Sequence, residues 1–406
     1  MAHDKMLDGN TAAVEAIKAA RVKVISAYPI TPQSTIAEKL ADAVADGELD
    51  ANYVRVESEH SALSVALGAQ MTGVRAATAT ASVGLALMHE IVNAAAGVRA
   101  PIVMPVVNRA LASPWSLWCD HQDSMAERDS GWMQLYCENV QDVYDLTMCA
   151  YRIAEDRRVQ LPCMVCLDGF FLSHSMQKVR VAEQAEADAF IGPYRRHNSY
   201  IDPEDPMIVN NLTSSDEFTE MRYQQSRGFA AAAEVMEEVF TEFQERFGRE
   251  HHVVEPYRLE DAKTVLVTIG SMAGTAKYVA DRLREQGQHV GVLKIVSFRP
   301  FPYRQVAALL KNAEHAAVLD RSAGLGAQGA PVWLEVCAAL QSMGINVRGY
   351  IGGLGGRDIS MDTIRHIFED MAQKDAQVCE EPAWIDLKEH PMNCLLYTSP
   401  SPRDTR

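Results

Sequence analysis

The sequence predicts an α/β fold with mostly parallel sheets, and two observations carry that prediction. Short apolar runs typical of buried strands alternate with helical segments between residues 9 and 175. The same alternation returns at residue 264 and continues to about residue 350. Because parallel strands need crossover connections, the β-α-β-α order indicates sheets that helices cover on both faces. A chain of 406 residues is long for one core, so we expect two or three domains.

The first part of the chain begins with an alanine-rich helix that Asn10 can cap. Apolar runs and helical periodicity then predict strands at 22–27, 53–56, 76–82 and 101–107, with helices at 11–20, 34–46, 61–72 and 84–97. The run 161–167 predicts a further buried strand and contains Cys163 and Cys166. Positions three apart in a strand point to opposite faces, so we expect two separate core thiols and no metal clamp.

The prolines and polar residues of 176–225 predict an extended connection, and the alanine-rich segment 228–247 predicts a long helix. A second α/β unit follows, with strands expected at 264–270, 290–295, 316–320 and 345–350 and a helix at 273–286. We therefore expect one domain over residues 1–250, with its core at 9–175, and a second over 251–390. The tail 391–406 has no periodicity and looks foreign, so it is left out of the fold prediction.

Charge and composition exclude several classes of protein. The formal net charge of -16 argues against nucleic-acid binding, because an acidic surface repels phosphate. The first residues carry no apolar stretch and no apolar run reaches membrane-spanning length, so we expect a cytoplasmic protein without a membrane segment. The eight cysteines are scattered, and none form the closely spaced array that binds an iron–sulfur cluster.

A proline-rich loop, Tyr28-Pro29-Ile30-Thr31-Pro32, follows the first predicted strand. Each proline fixes its own φ and favours extended geometry in the residue before it, so the loop is stiff. It carries the Thr31 hydroxyl at the carboxyl end of a strand, where α/β proteins place ligand contacts. A plain turn between strand and helix is the alternative interpretation.

Two further strand ends carry ionisable side chains. Ser58 can cap a helix and leave Glu59 in its first turn, where the helix dipole favours a carboxylate. A functional role would require that Glu59 be withdrawn from water. Arg109 follows strand 101–107 and can bind a carboxylate through two hydrogen bonds, although a surface arginine is also compatible with the pattern.

The glycines of Gly324-Leu-Gly326-Ala-Gln-Gly329 match the dinucleotide pattern G-x-G-x-x-G. Three residues separate the preceding strand from the first glycine, so the tight turn is missing. The next strand also ends without the acidic residue that would hold a ribose. We expect a structural loop, and an NAD-dependent dehydrogenase remains the weaker alternative.

Several segments between residues 9 and 388 together resemble the alpha subunit of the 2-oxoacid:ferredoxin oxidoreductases, and among these the pyruvate:ferredoxin oxidoreductases. The matching segments are Ala27-Tyr-Pro-Ile-Thr-Pro-Gln33, Val56-Glu-Ser-Glu-His-Ser61, Asn108-Arg-Ala110, Trp118-Cys-Asp-His-Gln-Asp-Ser-Met125, Glu127-Arg-Asp-Ser-Gly-Trp132, Leu167-Asp-Gly-Phe170, Thr268-Ile-Gly-Ser-Met272 and Arg299-Pro-Phe-Pro302. The set is specific, whereas any single segment is not.

The resemblance implies a pyrimidine-binding, thiamine-diphosphate-type domain with a mostly parallel sheet, followed by a smaller transketolase C-terminal-like α/β domain. It implies an enzyme that oxidatively decarboxylates pyruvate to acetyl-CoA and CO₂ with ferredoxin as electron acceptor, or the reverse synthesis. Sister enzymes for 2-oxoglutarate, branched-chain or aryl 2-oxoacids remain open. A non-catalytic scaffold subunit is the alternative of a different class.

The same resemblance implies roles for individual residues. Glu59 would bind the aminopyrimidine ring of thiamine diphosphate, and Thr31 and Arg109 would bind the substrate carboxylate. Pro29 and Ile30 are expected to contact the cofactor as well. Asp120 and His121 are expected to contact the site from a loop.

Two parts of the catalytic machinery are not found in the sequence. Leu167-Asp168-Gly169 is the nearest candidate for the Gly-Asp-Gly motif of the diphosphate metal, and no suitably spaced Asn follows it. We therefore expect no metal on this chain. Mg²⁺ and [4Fe-4S] clusters are expected on partner chains, which the resemblance gives as beta, gamma and iron–sulfur (delta) subunits. Without these partners, and without CoA and ferredoxin, the chain should be inert.

Overall fold

The computed structural model describes residues 3–112, 114–197, 200–373 and 381–388. Within them the chain forms fifteen strands, thirteen α-helices and one short 3-10 turn at Leu354–Gly356. The strands are β1 (His3–Leu7), β2 (Val24–Ala27), β3 (Asn52–Arg55), β4 (Ala76–Ala77), β5 (Val103–Asn108), β6 (Met133–Tyr136), β7 (Cys163–Asp168), β8 (Gln177–Val181), β9 (Val254–Tyr257), β10 (Thr264–Ile269), β11 (Val290–Ile295), β12 (Ser297–Arg299), β13 (His315–Asp320), β14 (Asn346–Ile351) and β15 (Ala383–Trp384).

The helices connect these strands and cover the sheets. They are α1 (Gly9–Ala19), α2 (Ser34–Ala45), α3 (Glu59–Met71), α4 (Ser82–Leu87), α5 (His89–Gly97), α6 (Gln122–Ala126), α7 (Val140–Ala154), α8 (Gln184–Ile191), α9 (Ser215–Phe247), α10 (Met272–Glu285), α11 (Tyr303–Leu310), α12 (Pro331–Leu340) and α13 (Met361–Gln373). No helix in the described ranges combines the length and the apolar character that crossing a bilayer requires.

The first sheet has seven strands in the order β12-β6-β7-β5-β4-β2-β3. Strands β2 to β7 run parallel, and β12 pairs antiparallel with β6 at the edge. Every position of β5 and β7 is buried, as expected for strands that helices cover on both sides. Because the six parallel strands point the same way, their carboxyl ends form one continuous edge. The loops that leave this edge carry the candidate site.

The second sheet has six strands in the order β15-β14-β13-β10-β11-β9 and is parallel except for β9. A separate ribbon pairs β1 with β8 in antiparallel fashion. One cluster of buried apolar side chains includes Met164 of the first sheet and Val265 of the second. The two sheet units therefore share a core.

Buried cysteines on β7 confirm the strand geometry expected from the sequence. Cys163 lies in the core cluster that includes α1, α7 and α9, and Cys166 lies in the cluster shared with the second sheet. Both thiols are buried and free. They face opposite sides of the sheet, so they are two core residues.

Several predicted boundaries are wrong. The helix expected at 228–247 begins at Ser215, and the segment 176–225 contains β8 and α8 before that helix. The first ten residues of α9 are exposed, so no apolar periodicity marks them. The helix expected at 84–97 is divided at Met88 into α4 and α5.

The N-terminal cap of α1 also differs from the prediction. Asp8, and not Asn10, caps the helix by accepting a hydrogen bond from the Thr11 amide at 2.7 Å. The proposed domain boundaries stay a prediction. The tail 391–406 lies outside the described residues.

Candidate active site at the carboxyl edge of the first sheet

Thr31, Glu59 and Arg109 lie along one edge of the first sheet. Thr31 follows β2, Glu59 follows β3, and Arg109 follows β5. These strands lie within the neighbouring run β3-β2-β4-β5, and all are parallel. Ligands of open α/β sheets bind outside the carboxyl ends of such strands. The sheet order thus brings three segments that are distant in sequence to one crevice.

Arg109 is an almost buried cation, 4% exposed. Its Nε donates to the Ser116 carbonyl at 3.0 Å, and its Nη1 donates to the Thr31 carbonyl at 2.8 Å. Within the described residues, Nη2 has no hydrogen-bond partner and no carboxylate lies at ion-pair distance from the guanidinium. Burial lowers the pKa of Arg109, and the Asp123 carboxylate opposes that shift. The site therefore contains a desolvated positive charge whose Nη2 hydrogens are free to bind a ligand.

The proline-rich loop is held by hydrogen bonds as well as by its prolines. The Pro32 carbonyl accepts from Asn10 Nδ2 at 2.8 Å, and the Ile30 carbonyl accepts from the Gln33 amide at 2.7 Å. Ile30 is half-buried, whereas Pro29 and Thr31 are exposed. The Thr31 hydroxyl is therefore accessible on a fixed backbone. The assignment of Pro29 and Ile30 to the cofactor stays a prediction.

Asp123 fixes the backbone that carries Arg109. Its Oδ2 accepts from the amides of Ser82 at 2.8 Å and Arg109 at 3.0 Å. Its Oδ1 accepts from Asn108 Nδ2 and the Ser124 amide, each at 2.8 Å. Burial raises the pKa of Asp123 to about 6 despite these four bonds. The position of Asp123 in a polar run is the only local pattern that points to this role.

Glu59 is the first residue of α3 and is 8% exposed. Ser58 caps the helix by accepting from the Ser61 amide, which confirms the predicted cap. A Cβ placed on Gly84 would lie 2.7 Å from Glu59 Oε1 and 2.7 Å from Thr80 Oγ1. The glycine therefore leaves room for the carboxylate. The buried Thr80 hydroxyl has no hydrogen-bond partner among the described residues, so a polar group is available beside Glu59.

The short helix α4 connects the surroundings of Glu59 and Arg109. Ser82 Oγ donates to the Ala110 carbonyl at 2.5 Å, and Gly84 borders Glu59 two residues further along. Ser82 has a left-handed φ of 52°, a conformation that non-glycine residues adopt at some energetic cost. Glu59 and Arg109 thus lie on either side of one well-anchored element, although they do not touch.

Asp120 and His121 lie in the contact between the two sheets. Asp120 is 2% exposed, and its oxygens accept from the amides of Gln122 at 3.0 Å and Gly355 at 3.3 Å. His121 is fully buried, with Nε2 2.7 Å from Asp168 Oδ1. The structure therefore gives both side chains partners within the protein.

Asp168, at the end of β7, is the centre of this contact. Its Oδ2 accepts from Arg321 Nη1 at 2.9 Å and from the Ser271 hydroxyl. Burial by itself raises the pKa of Asp168, but the His121 and Arg321 charges and the hydrogen bonds bring it far below the usual range. In the sequence, Asp168 stands out only as part of an incomplete Gly-Asp-Gly motif. Its partners Ser271 and Arg321 are more than a hundred residues away, and no local pattern indicates them.

Cys119, His121 and Asp168 place possible metal-ligand atoms within 4.8 Å of one another. Arg321 Nη1, however, donates to Asp168 at 2.9 Å and lies 3.8 Å from Cys119 Sγ. A metal cation at this position would face a fixed guanidinium. The three residues are therefore part of an ionic network.

The glycine-rich segment after β13 is not arranged for a dinucleotide. Asp320 accepts from the amides of Val332 at 2.9 Å and Trp333 at 3.1 Å at the N-terminus of α12. A bound pyrophosphate would use such amides. Since a carboxylate of the chain already occupies them, the structure supports a structural loop here.

Comparisons with known proteins identify the family of the chain. Residues 15–241 match the family model described as pyruvate flavodoxin/ferredoxin oxidoreductase, thiamine diP-binding, and residues 262–364 match pyruvate:ferredoxin oxidoreductase core domain II. The chain is 47% identical to pyruvate synthase subunit PorA of Methanocaldococcus jannaschii over 391 residues, covering 96% of this chain and 99% of the relative. It is 42% identical to ketoisovalerate oxidoreductase subunit VorA of Pyrococcus abyssi over 389 residues, covering 95% and 98%.

A solved structure has the same fold. It is a 2-oxoglutarate:ferredoxin oxidoreductase from Magnetococcus marinus with 2-oxoglutarate, coenzyme A and succinyl-CoA bound, and it aligns with a TM-score of 0.71. The alignment covers 91% of this chain and 65% of that chain at 20% identity, which is evidence for the fold alone. With the first family model matching more than half of its length, the chain belongs to the pyruvate flavodoxin/ferredoxin oxidoreductase family.

Proposed function

We propose that this chain is the alpha subunit of a multisubunit pyruvate:ferredoxin oxidoreductase. The assembled enzyme would convert pyruvate and CoA to acetyl-CoA and CO₂ while reducing ferredoxin, or run the reverse synthesis. The observation that carries this proposal is Arg109, a nearly buried guanidinium that has no counter-ion among the described residues and lies at the carboxyl edge of the first sheet. A 2-oxoacid provides the missing carboxylate.

Arg109 and Thr31 would hold that carboxylate in place. The carbonyls of Ser116 and Thr31 fix the guanidinium through Nε and Nη1, so its remaining N–H groups point in a set direction. Charge-assisted hydrogen bonds to a carboxylate are short and directional. The exposed Thr31 hydroxyl is a second donor on a rigid loop. Holding the leaving carboxylate in one orientation lowers the entropic part of the barrier to decarboxylation.

The surroundings of Glu59 fit thiamine diphosphate. Glu59 would hold the cofactor through its ring nitrogen, and the unpartnered Thr80 hydroxyl beside it offers a second hydrogen bond. When bound, the cofactor supplies the nucleophilic carbon and the electron sink for 2-oxoacid decarboxylation. In this arrangement an oxygen of the Glu59 carboxylate would make the hydrogen bond to the ring nitrogen. Its position at the rim of the core keeps water away from that hydrogen bond.

The diphosphate metal and the electron-transfer clusters are proposed to lie on other chains. The one group of possible metal ligands found among the described residues already binds Arg321. We therefore assign Mg²⁺ to a beta subunit and the [4Fe-4S] clusters to an iron–sulfur (delta) subunit, with a gamma subunit completing the assembly. CoA and ferredoxin would bind the assembled complex.

Pyruvate is favoured over other 2-oxoacids because the pyruvate synthase subunits among the relatives are 42–47% identical to this chain, whereas the ketoisovalerate subunits are 42% identical. Arg109 and Thr31 contact only the carboxylate that all 2-oxoacids share. Sister substrates with larger side chains therefore remain the second candidate. A non-catalytic scaffold would have no need of an unpaired buried guanidinium.

The test is co-expression of this chain with the proposed beta, gamma and delta subunits. The rate of viologen reduction by the purified complex is then measured with CoA and a panel of 2-oxoacids. The panel contains pyruvate, 2-oxoisovalerate, 2-oxoglutarate and an aryl 2-oxoacid. We expect the highest kcat/KM with pyruvate. A complex that assembles and reduces viologen with none of the four would overturn the proposal. A higher kcat/KM with one of the other three would reassign the substrate.

A further inference from the structure

One segment, residues 116–121, contacts both the candidate carboxylate site and the second sheet. On the site side, the Ser116 carbonyl accepts from Arg109 Nε at 3.0 Å. The Trp118 carbonyl accepts from the Ala110 amide, also at 3.0 Å. The backbone of this segment therefore holds the guanidinium at Nε, while the Thr31 carbonyl holds it at Nη1.

On its other side, the segment is held by the turn at residues 353–356, which follows β14 of the second sheet. The Gly356 amide donates to the Cys119 carbonyl at 2.6 Å, and the Gly355 amide donates to Asp120 Oδ2 at 3.3 Å. The His121 amide donates to the Arg321 carbonyl, after β13, at 2.8 Å. Two adjacent loops of the second sheet thus hold three consecutive residues of the segment.

Gly356 allows this contact because it has no side chain. Its φ is +78°, and a Cβ placed there would lie 2.3 Å from Trp118 Cβ. Because that atom is attached directly to the backbone, no rotamer change of Trp118 relieves the clash. The Trp118 ring also packs against Phe170 with centroids 4.6 Å apart, which limits retreat in that direction. A side chain at 356 must therefore displace the backbone of residues 118–119 or of the turn itself.

We propose that the 353–356 turn of the second sheet is a positioning element for substrate binding: it fixes residues 116–121 and, through the Ser116 carbonyl, the orientation of the Arg109 guanidinium. This inference rests on the proposed function. It gives the second sheet a role in affinity for the 2-oxoacid through its contacts with residues 119–121. The residues involved act through Arg109 and are not catalytic.

The test is Gly356→Ala in the assembled complex, with Gly344→Ala as its matched control. Gly344 has a φ of +71° in the same sheet unit, and a Cβ there meets no atom within 4 Å. The control therefore reproduces the backbone strain without the clash. We expect Gly356→Ala to raise the KM for the 2-oxoacid by about 10- to 100-fold, the range that a displacement of about 1 Å can cause. The KM for CoA and the values for Gly344→Ala should match wild type.

Equal 2-oxoacid KM values for the two alanine variants would overturn the inference while leaving the proposed function intact. A wild-type complex that turns over no 2-oxoacid would instead overturn the proposed function. If Gly356→Ala does not assemble, Asp120→Ala tests the same contact, because it removes the oxygen that accepts from the Gly355 N–H. A raised KM for the 2-oxoacid with an unchanged KM for CoA supports the inference, and two unchanged values reject it.

Discussion

Replacing Arg109 by alanine removes the positive charge that we assign to the substrate carboxylate. The side chain is 4% exposed, and two of its nitrogens are held by backbone carbonyls, so little rotamer entropy is lost when a carboxylate binds. A hydrogen bond between charged groups contributes about 1.5–3 kcal/mol. With two such bonds to the carboxylate, and water filling the space in the variant, we expect a loss of about 3 kcal/mol, or roughly 100-fold in kcat/KM.

The assay is viologen reduction by the assembled complex, with the 2-oxoacid and CoA varied separately. We expect Arg109→Ala to raise the KM for the 2-oxoacid while the KM for CoA stays at the wild-type value. Arg109→Lys keeps the charge but loses the planar guanidinium that reaches two carbonyls and the substrate. Its kcat/KM should therefore lie between those of wild type and Arg109→Ala. Arg157→Ala, at an exposed arginine far from this edge, is the control.

The assignment of Arg109 to the substrate carboxylate is refuted if Arg109→Ala raises both KM values equally, or leaves the KM for the 2-oxoacid unchanged. An equal rise would mean that Arg109 only supports the loop structure through the carbonyls of Thr31 and Ser116. Circular dichroism and gel filtration of the variant complex exclude loss of assembly as the cause of a lower rate.

Three other substitutions test the rest of the site. Glu59→Ala should lower turnover by orders of magnitude with assembly intact, as measured by viologen reduction and gel filtration. Gly84→Ala places a methyl group 2.7 Å from Glu59 Oε1. Because the methyl group displaces the carboxylate from its proposed contact with the cofactor, kcat should fall about tenfold. Asp123 has a folded pKa raised to about 6, so its contribution to stability is present below pH 4 and lost as the pH rises through 6. Relative to Asp123→Asn, the unfolding free energy of wild type should therefore fall by roughly 2–3 kcal/mol between pH 4 and 7, measured by urea titration.

Each of these substitutions has a control and a contradicting result. Glu38→Gln alters an exposed carboxylate of α2, and Glu59→Ala with the same turnover as this control would remove the proposed role. Gly97→Ala adds a methyl group where no atom lies within 4 Å, and Gly84→Ala should be clearly slower than it. If the difference in unfolding free energy between wild type and Asp123→Asn does not change with pH, Asp123 has the same pKa in the folded and unfolded chains.

Local sequence signals were sufficient for the strand ends but not for what surrounds them. Ser58 before Glu59, and prolines on both sides of Thr31, are patterns within a few residues that the structure retains. The position of Arg109 depends instead on Asp123, on Ser82 with its unusual φ, and on the order of the strands. None of these has a local signature, because each depends on which strands become neighbours.

The contact between the two sheets shows the same limit at longer range. Gly356 and Cys119 are bonded across more than two hundred residues, and the pairing of Asp168 with Arg321 spans 153. A glycine in a turn and an aspartate after a strand have many ordinary explanations in a sequence. The start of α9 was missed for the opposite reason, since an exposed helical segment has no buried face that would produce a periodic pattern.

The pairing of β12 with β6 also bears on how the chain could be divided. The register joins Ser297 to Leu135, so a strand encoded late in the chain closes the outer edge of the earlier sheet. A fragment ending near residue 250 would leave the backbone groups of β6 open on that side, and open edges of this kind recruit other chains. Residues 1–250 alone therefore lack the strand that covers the outer edge of β6. A shortened form intended for expression should retain the chain at least through Arg299.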